Sequence, residues 1–238
     1  MHQVKRAIIM AAGLGKRMRP VTLTTPKPLV KVNGIRMIDT VIQSLHANGI
    51  TEIYVVVGHL KEQFVSLEQE YPGVTLINNP YYNTCNNISS LYVARDHIED
   101  AIILDGDQII HNPAILSSEF ERSGYNCVWT NQQTQEWLLT VKEGIVTHCS
   151  RNGGSNGWQL YSVSRWTAED GRKLKKHLEI EFEEKQNRQI YWDDVALFCY
   201  PEEYELGIRS MCIEDIVEID DICELIRIDS SYAARLGE

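Results

Sequence analysis

Acidic side chains are missing from the first 38 residues of this chain, although eight Lys or Arg fall there. The other 200 residues hold 15 basic and 33 acidic side chains, and the whole chain stands at −10. A compact cationic segment inside an acidic protein focuses a small anionic ligand into one cleft. It excludes nucleic acid as a partner, because a phosphate backbone calls for an extended basic face.

Long apolar runs are lacking too: nothing approaches the roughly 18 consecutive apolar residues of a membrane span. The first apolar run is about seven residues and has no signal-peptide design around it. A soluble, cytoplasmic protein with no membrane partner is expected. Six cysteines are present without a CxxC pair or a Cys/His cluster, which leaves no zinc or dithiol framework and reads as reduced, buried small hydrophobes. The seven histidines are dispersed, none beside a Ser or Cys in a triad arrangement, so acyl transfer has no support. Repeats, low-complexity tracts and linkers are absent. With 43% hydrophobic residues, the chain can bury one sizeable core, and residues 1–238 read as a single domain. Nothing in the sequence speaks to oligomeric state.

Apolar runs of strand length alternate with segments of helical period, the pattern of βαβ units. Strands are expected at 6–11, 52–57, 74–78 and 101–104, and helices at 37–48, 60–70 and 89–97. From residue 126 the texture changes to short β-like runs at 128–130, 138–142, 145–149 and 160–163, with Lys142-Glu143-Gly144 as a hairpin turn. A helix over 168–185, a strand near 212–218 and a closing helix capped by Asp220 or Asp221 complete the reading. The fold class is α/β: a Rossmann-like mixed, mostly parallel sheet flanked by helices, with a small antiparallel portion. The change of texture divides this one domain into parts of about 1–125 and about 126–238.

Three meanings compete for a glycine-rich turn after a first strand. GxxxxGK[ST] is absent, so the turn is no P-loop. Met18 stands where a dinucleotide-binding turn needs its third glycine. What remains is Ala11-Ala12-Gly13-Leu14-Gly15-Lys16-Arg17-Met18 followed by Thr25-Pro26-Lys27-Pro28-Leu29. Glycines at 13 and 15 let main-chain N–H groups approach phosphate oxygens. Arg17 offers a planar fork to the outer phosphates, and Lys27 is a compact charge that can reach the α phosphate. Pro26 and Pro28 stiffen the chain around it.

This stretch resembles the first motif of the GT-A-like nucleotidyltransferases, GxGxRxxPxTxxxPKxL, matched at Gly13, Gly15, Arg17, Pro20, Thr22, Pro26, Lys27 and Leu29. The resemblance implies Lys27 and Arg17 as catalytic residues and Ala12, Gly13 and Gly15 as nucleotide contacts. It also makes Asp105-Gly106-Asp107 a metal motif. Mg²⁺ takes carboxylate oxygens, phosphates and water, so Asp107 is expected to ligate it together with Asp193 of Tyr191-Trp192-Asp193-Asp194. Asp105 is expected in support; Asp194 reads either as a solvated charge at a helix start or as a supporting group.

Asn86-Asn87-Ile88-Ser89-Ser90-Leu91-Tyr92 is similar to the corresponding segment of bacterial CTP:phosphocholine cytidylyltransferases, and Glu136-Trp137, Tyr191-Trp192-Asp193 and Glu218-Ile219-Asp220 fall where that subfamily has counterparts. The resemblance implies CMP transfer from CTP to phosphocholine, with Asn86 and Ser90 on the cytosine or ribose. A quaternary ammonium is recognised by aromatic faces and acids, so Glu136, Trp137, Tyr191 and Trp192 are expected around it. Trp129, inside an apolar run, is expected in the core. Ser162 stands where family members often carry glycine, which would narrow the acceptor pocket. Other acceptors remain open: 2-aminoethylphosphonate or phosphoethanolamine, whose primary ammonium would prefer Glu136 or Asp194, or a sugar 1-phosphate. A non-catalytic nucleotide-binding regulatory subunit is the alternative outside enzymes.

Overall fold

The structure is a computed structural model and describes residues 1–233. Its centre is a parallel sheet in the order β3-β2-β1-β4, formed by β1 (Arg6–Ala11), β2 (Glu52–Val57), β3 (Val74–Asn78) and β4 (Ala101–Asp105). These apolar segments are covered on both faces, which explains why they read as continuous hydrophobic runs rather than alternating ones. Helix α1 (Met37–Ala47) buries Met37, Ile38, Val41, Ile42 and Leu45, an i, i+1, i+4, i+5, i+8 stripe. Each such side chain contributes roughly 1.5–3 kcal/mol by leaving water.

The rest of the nine-stranded sheet is largely antiparallel. Strand β5 (Gln108–Ile110) stands outside it; β6 (Gly124–Thr130), β7 (Leu138–Lys142), β8 (Ile145–Ser150), β9 (Gly157–Trp166) and β10 (Gly207–Ser210) extend it from β4, joined there through β9. Only β6 and β10 pair in parallel within this half. Strand β11 (Ile216–Glu218) turns back to pair with β5.

The expected 60–70 helix is broken after a left-handed Leu60 into a 3₁₀ turn, Lys61–Phe64, and a short α2 (Ser66–Glu70). Helix α3 (Ile88–Val93) stops short of 97, and a 3₁₀ turn follows. Helix α4 (Ala168–Glu179), capped by the Thr167 hydroxyl, runs on as a π-helical turn over Ile180–Glu184. Buried Glu181 holds that turn, accepting bonds from Lys185, Asn187 and Tyr200. Trp129 is not in the core: it is 52% exposed and lies edge-on to Trp158 across β6 and β9, where the strand runs past the packed region.

Two large apolar clusters lie on the two sides of the sheet. A third joins Met18, Val30 and Met37 from the N-terminal third to Ile219, Leu225 and Tyr232. The last two belong to the closing helix α5 (Ile222–Ile228) and the turn after it. Asp221 caps α5, accepting from the N–H groups of Cys223 and Glu224, while the Glu224 carboxylate returns to the Asp221 N–H. No helix among the described residues is long and apolar enough to cross a membrane.

Candidate active site

The carboxyl ends of β1 and β4 open onto a cleft, where open α/β sheets bind ligands. Three adjoining cavities meet at Asp107. One, about 340 Å³, runs along Gly13, Gly15, Arg17 and Lys27. A second, about 300 Å³, is lined by Ala12, Gly13, Tyr82, Asn86 and Ser90. The third, about 320 Å³, holds Glu136, Trp137, Tyr191 and Asp193. The resulting arrangement resembles a triphosphate channel with a base arm and an acceptor arm.

The two glycines of the first arm differ in purpose. Gly15 has φ +57, and a Cβ there would lie 2.8 Å from the Thr22 methyl, whose hydroxyl donates to the Gly15 carbonyl. At Gly13 a Cβ would meet nothing within 4 Å, so its missing side chain leaves room on the cleft floor for a ligand. Lys27 lies in the short 3₁₀ turn Lys27–Leu29 between Pro26 and Pro28 and is 7% exposed. Its Nζ is 2.5 Å from Asp107 and 3.3 Å from Asp220. Burial pulls its pKa down, but the adjacent Asp107 carboxylate outweighs that and leaves it raised. Arg17, largely exposed, pairs with Asp220 at 2.8 Å.

Acids gather where these cations end. Because β11 pairs antiparallel with β5, Glu218 stands opposite Gln108, one residue past Asp107. One oxygen each from Asp105, Asp107 and Glu218 lie within 4.8 Å of one another. Burial, and then the charge of Asp107, push both Asp105 and Glu218 well above the ordinary carboxylate range. Asp107 Oδ1 is buried without a hydrogen-bond partner. An oxygen-only donor set with an orphaned carboxylate oxygen fits a hard divalent cation such as Mg²⁺.

Asp107 and Asp193, the expected pair, line one cavity, while the acids that approach Asp107 most closely are Asp105 and Glu218. Glu218 is carried against Asp107 by the β5–β11 register, and Asp220 reaches Lys27, which it shares with Asp107. Asp193 faces the same cleft from the acceptor arm, outside the three-acid group. Asp105 belongs to that group rather than standing behind it. Asp220 is no helix cap; Asp221 takes that task. The signal for the missing residues was the Glu218-Ile219-Asp220 tail itself.

In the base arm, the Asn86 side chain donates to the Gln189 carbonyl and accepts from the Asn87 N–H, so much of its hydrogen-bonding capacity is already used. Ser90 accepts from Asn79, which is fully buried, and keeps its own O–H free to donate.

The acceptor arm brings Trp137 and Tyr191 together at 5.7 Å and 87°, with Glu136 and Asp193 beside them. Trp192 is the expected wall residue that the structure withdraws. It is 2% exposed and packs against Tyr125 and Trp166 in the core. Tyr191 and Trp192 are consecutive in a turn, so only one can face the cleft, and the indole buries the larger apolar surface. Asp193 is pushed up to about 7, chiefly by burial, with the charge of Asp194 adding to the rise. The Tyr125 hydroxyl lies beside it without closing a hydrogen bond of standard geometry, leaving Asp193 Oδ1 orphaned. Asp194 is a buried supporting group, paired with Arg151 and accepting from the Tyr191 N–H. Ser162 lines the same arm.

A Rossmann-like sheet whose strand ends carry a phosphate-sized glycine loop, two cations and a carboxylate cluster defines a nucleotidyltransferase. The chain belongs to the MobA-like NTP transferase family, whose domain model matches residues 7–170. It is 39% identical over 229 residues to the 2-aminoethylphosphonate cytidylyltransferase of Lancefieldella rimae, covering 95% of this chain and 92% of that protein. It is 31% identical over 224 residues to the choline-phosphate cytidylyltransferase of Streptococcus pneumoniae, covering 94% and 96%. The solved CTP:phosphocholine cytidylyltransferase from S. pneumoniae superposes with TM-score 0.89 at 31% identity, over 96% of this chain and 99% of that one. An inositol-1-phosphate CTP transferase from T. maritima, at 17% identity and TM-score 0.73, shares the fold. The chain is an enzyme of the nucleotidyltransferase type, and among these a cytidylyltransferase.

Proposed function

We propose that this cytidylyltransferase transfers CMP from CTP to a small phosphonate or phosphate ester carrying a primary ammonium, 2-aminoethylphosphonate first among them. The acceptor oxygen attacks the α phosphorus in line; the new P–O bond forms as the bond to pyrophosphate breaks, and pyrophosphate leaves with the electron pair. The attacking oxygen is already ionised near neutral pH, so no general base is required.

Lys27 supplies the charge that offsets the developing negative charge at the α phosphate, and Arg17 grips the outer phosphates. Both cations pair with Asp107 or Asp220, carboxylates that phosphate oxygens would replace. Gly13 leaves the cleft floor open for the phosphate chain, and Ala12, Asn86 and Ser90 line the base arm. Asp105, Asp107 and Glu218 would hold a divalent cation, which when bound supplies further neutralisation of the triphosphate.

The acceptor choice rests on one observation. Asp193 Oδ1 is buried and unpaired in the acceptor arm. A primary ammonium donates the N–H that this oxygen lacks, whereas a quaternary ammonium has none to give. Withdrawal of Trp192 into the core removes one of the three expected aromatic walls, which points the same way. Phosphocholine is the second reading, favoured by the Trp137–Tyr191 corner, where each good cation–π contact contributes roughly 0.5–2 kcal/mol.

The test is pyrophosphate release from CTP with 2-aminoethylphosphonate, phosphoethanolamine and phosphocholine compared at equal concentration. The highest kcat/KM is expected with 2-aminoethylphosphonate. Equal or greater kcat/KM with phosphocholine would overturn the acceptor assignment, and CTP binding with no pyrophosphate from any acceptor would point to a regulatory subunit.

A further inference from the structure

Behind the acceptor arm stands a charged pair that touches neither the triphosphate channel nor the acid cluster. Arg151, in the turn after β8, donates to Asp194 Oδ1 from Nε at 2.9 Å and from Nη2 at 2.5 Å. The other carboxylate oxygen of Asp194 accepts the Tyr191 N–H at 2.8 Å. Asp194 is buried, and its side chain closes the Tyr191–Asp194 turn that presents Tyr191 to the cleft and sends Trp192 into the core. A π-helical turn, Val195–Cys199, follows at once and sets Phe198 beneath the same guanidinium.

The guanidinium also occupies aromatic faces. Arg151 Cζ is 3.5 Å from the Phe198 ring centroid and 5.8 Å from that of Trp137. Trp137 meets Phe198 and Tyr191 edge to face, at 5.5 and 5.7 Å. The loop carrying Trp137 is bonded to the loop after Arg151 through reciprocal Thr134 and Gly154 main-chain bonds of 2.8 and 3.1 Å. One ion pair therefore holds both aromatic residues of the acceptor arm and lays the protein's own cation against Trp137.

We infer that Arg151 and Asp194 form a positioning pair that sets acceptor selectivity. A π face already engaged by a guanidinium attracts a second cation less, both because the quadrupole is shared and because like charges repel. Arg151 thus weakens the aromatic corner as a site for a quaternary ammonium and leaves recognition to the hydrogen-bonding carboxylate Asp193. Asp194 keeps Tyr191 and Trp192 in their opposite orientations. This rests on the acceptor reading above, and the two are separable by experiment: wild-type preference tests the reading, and its change on substitution tests the pair.

Kinetics would be measured for wild type, Arg151→Gln and Arg151→Lys with CTP and both 2-aminoethylphosphonate and phosphocholine. Arg151→Gln is expected to shift the kcat/KM ratio toward phosphocholine by about three- to ten-fold, the size of one cation–π contact. The shift should appear in acceptor KM, with CTP KM unchanged. Arg151→Lys keeps the charge and should retain most of the wild-type ratio. Arg151 is half-exposed, and Asp194→Asn, which still accepts the Tyr191 N–H, provides a second route to breaking the pair if Arg151→Gln folds poorly. An unchanged acceptor ratio in Arg151→Gln and Asp194→Asn, or equal losses for both acceptors confined to kcat, would overturn the pair's role. A wild type that prefers phosphocholine overturns the acceptor reading, while the ratio change still decides whether Arg151 tunes it.

Discussion

Replacing Lys27 with methionine keeps the volume of the side chain and removes an ammonium that stands 2.5 Å from Asp107 and 3.3 Å from Asp220. In the proposed mechanism that charge faces the α phosphate in the transition state. Deleting one preorganised group of this kind costs on the order of 10²–10³ in kcat, or about 3–4 kcal/mol. The protein loses stability as well, since Asp107 loses its partner and Asp220 keeps only Arg17. Removing one member of a fully buried pair costs roughly 3–5 kcal/mol. Both carboxylates here are about a quarter exposed, at 22% and 28%, so solvent screening brings the expectation down to about 1–3 kcal/mol. The assay is pyrophosphate release at saturating CTP and acceptor, alongside thermal melts at pH 8 and pH 5. Kcat should fall by the stated factor, and the variant should melt below wild type at both pH values. Turnover within about three-fold of wild type would refute the electrostatic role assigned to this lysine.

The two loop glycines should separate by phenotype. Gly15→Ala forces a left-handed backbone at φ +57 and a 2.8 Å contact with Thr22, costing roughly 1–2 kcal/mol in a denaturant melt; Gly13→Ala should melt normally and raise the KM for CTP, and a normal CTP KM would remove Gly13 from the phosphate floor. Asp193, raised to about 7 from 3.8, holds its proton more tightly folded than unfolded, so its destabilising contribution is absent below about pH 4, grows through the window between the two values and is complete above about pH 7. Asp193→Asn should therefore be more stable than wild type at pH 8, by about 4 kcal/mol at 1.36 kcal/mol per pH unit, and equal to it near pH 4; a parallel pH–stability curve would contradict the burial argument. Glu218→Gln should shift the Mg²⁺ titration of pyrophosphate release to higher metal concentration, by roughly ten-fold or more, and an unchanged titration would take Glu218 out of the cation site.

Much of this enzyme was legible along the chain. The alternation of apolar runs with helical periods located β1 to β4 and α1 to within a residue or two, because burial on both sheet faces leaves a continuous hydrophobic record. The glycines, Arg17 and Lys27 were legible for a related reason: a phosphate loop is local, and its chemistry is written in neighbouring residues. Asp107 followed, since a carboxylate at a strand end faces the ligand side of the sheet.

The second carboxylate was a different matter. Asp193 and Glu218 look alike as acids following an aromatic or apolar segment, and nothing local separates them. Pairing of β11 with β5 does, by setting Glu218 opposite Gln108. Tyr191 and Trp192 were equally indistinguishable until the Asp194 side chain closed their turn and sent one ring outward and the other inward.

The sequence by itself therefore determined the class of fold, the cationic glycine loop and the nucleotidyltransferase class, all matters of local pattern and charge density. Tertiary structure alone decided that Glu218 stands against Asp107, which aromatic rings line the third cavity, and that Arg151 stands behind them. Those outcomes depend on strand register and on competition for burial between residues far apart in the chain, and neither leaves a mark in a single segment.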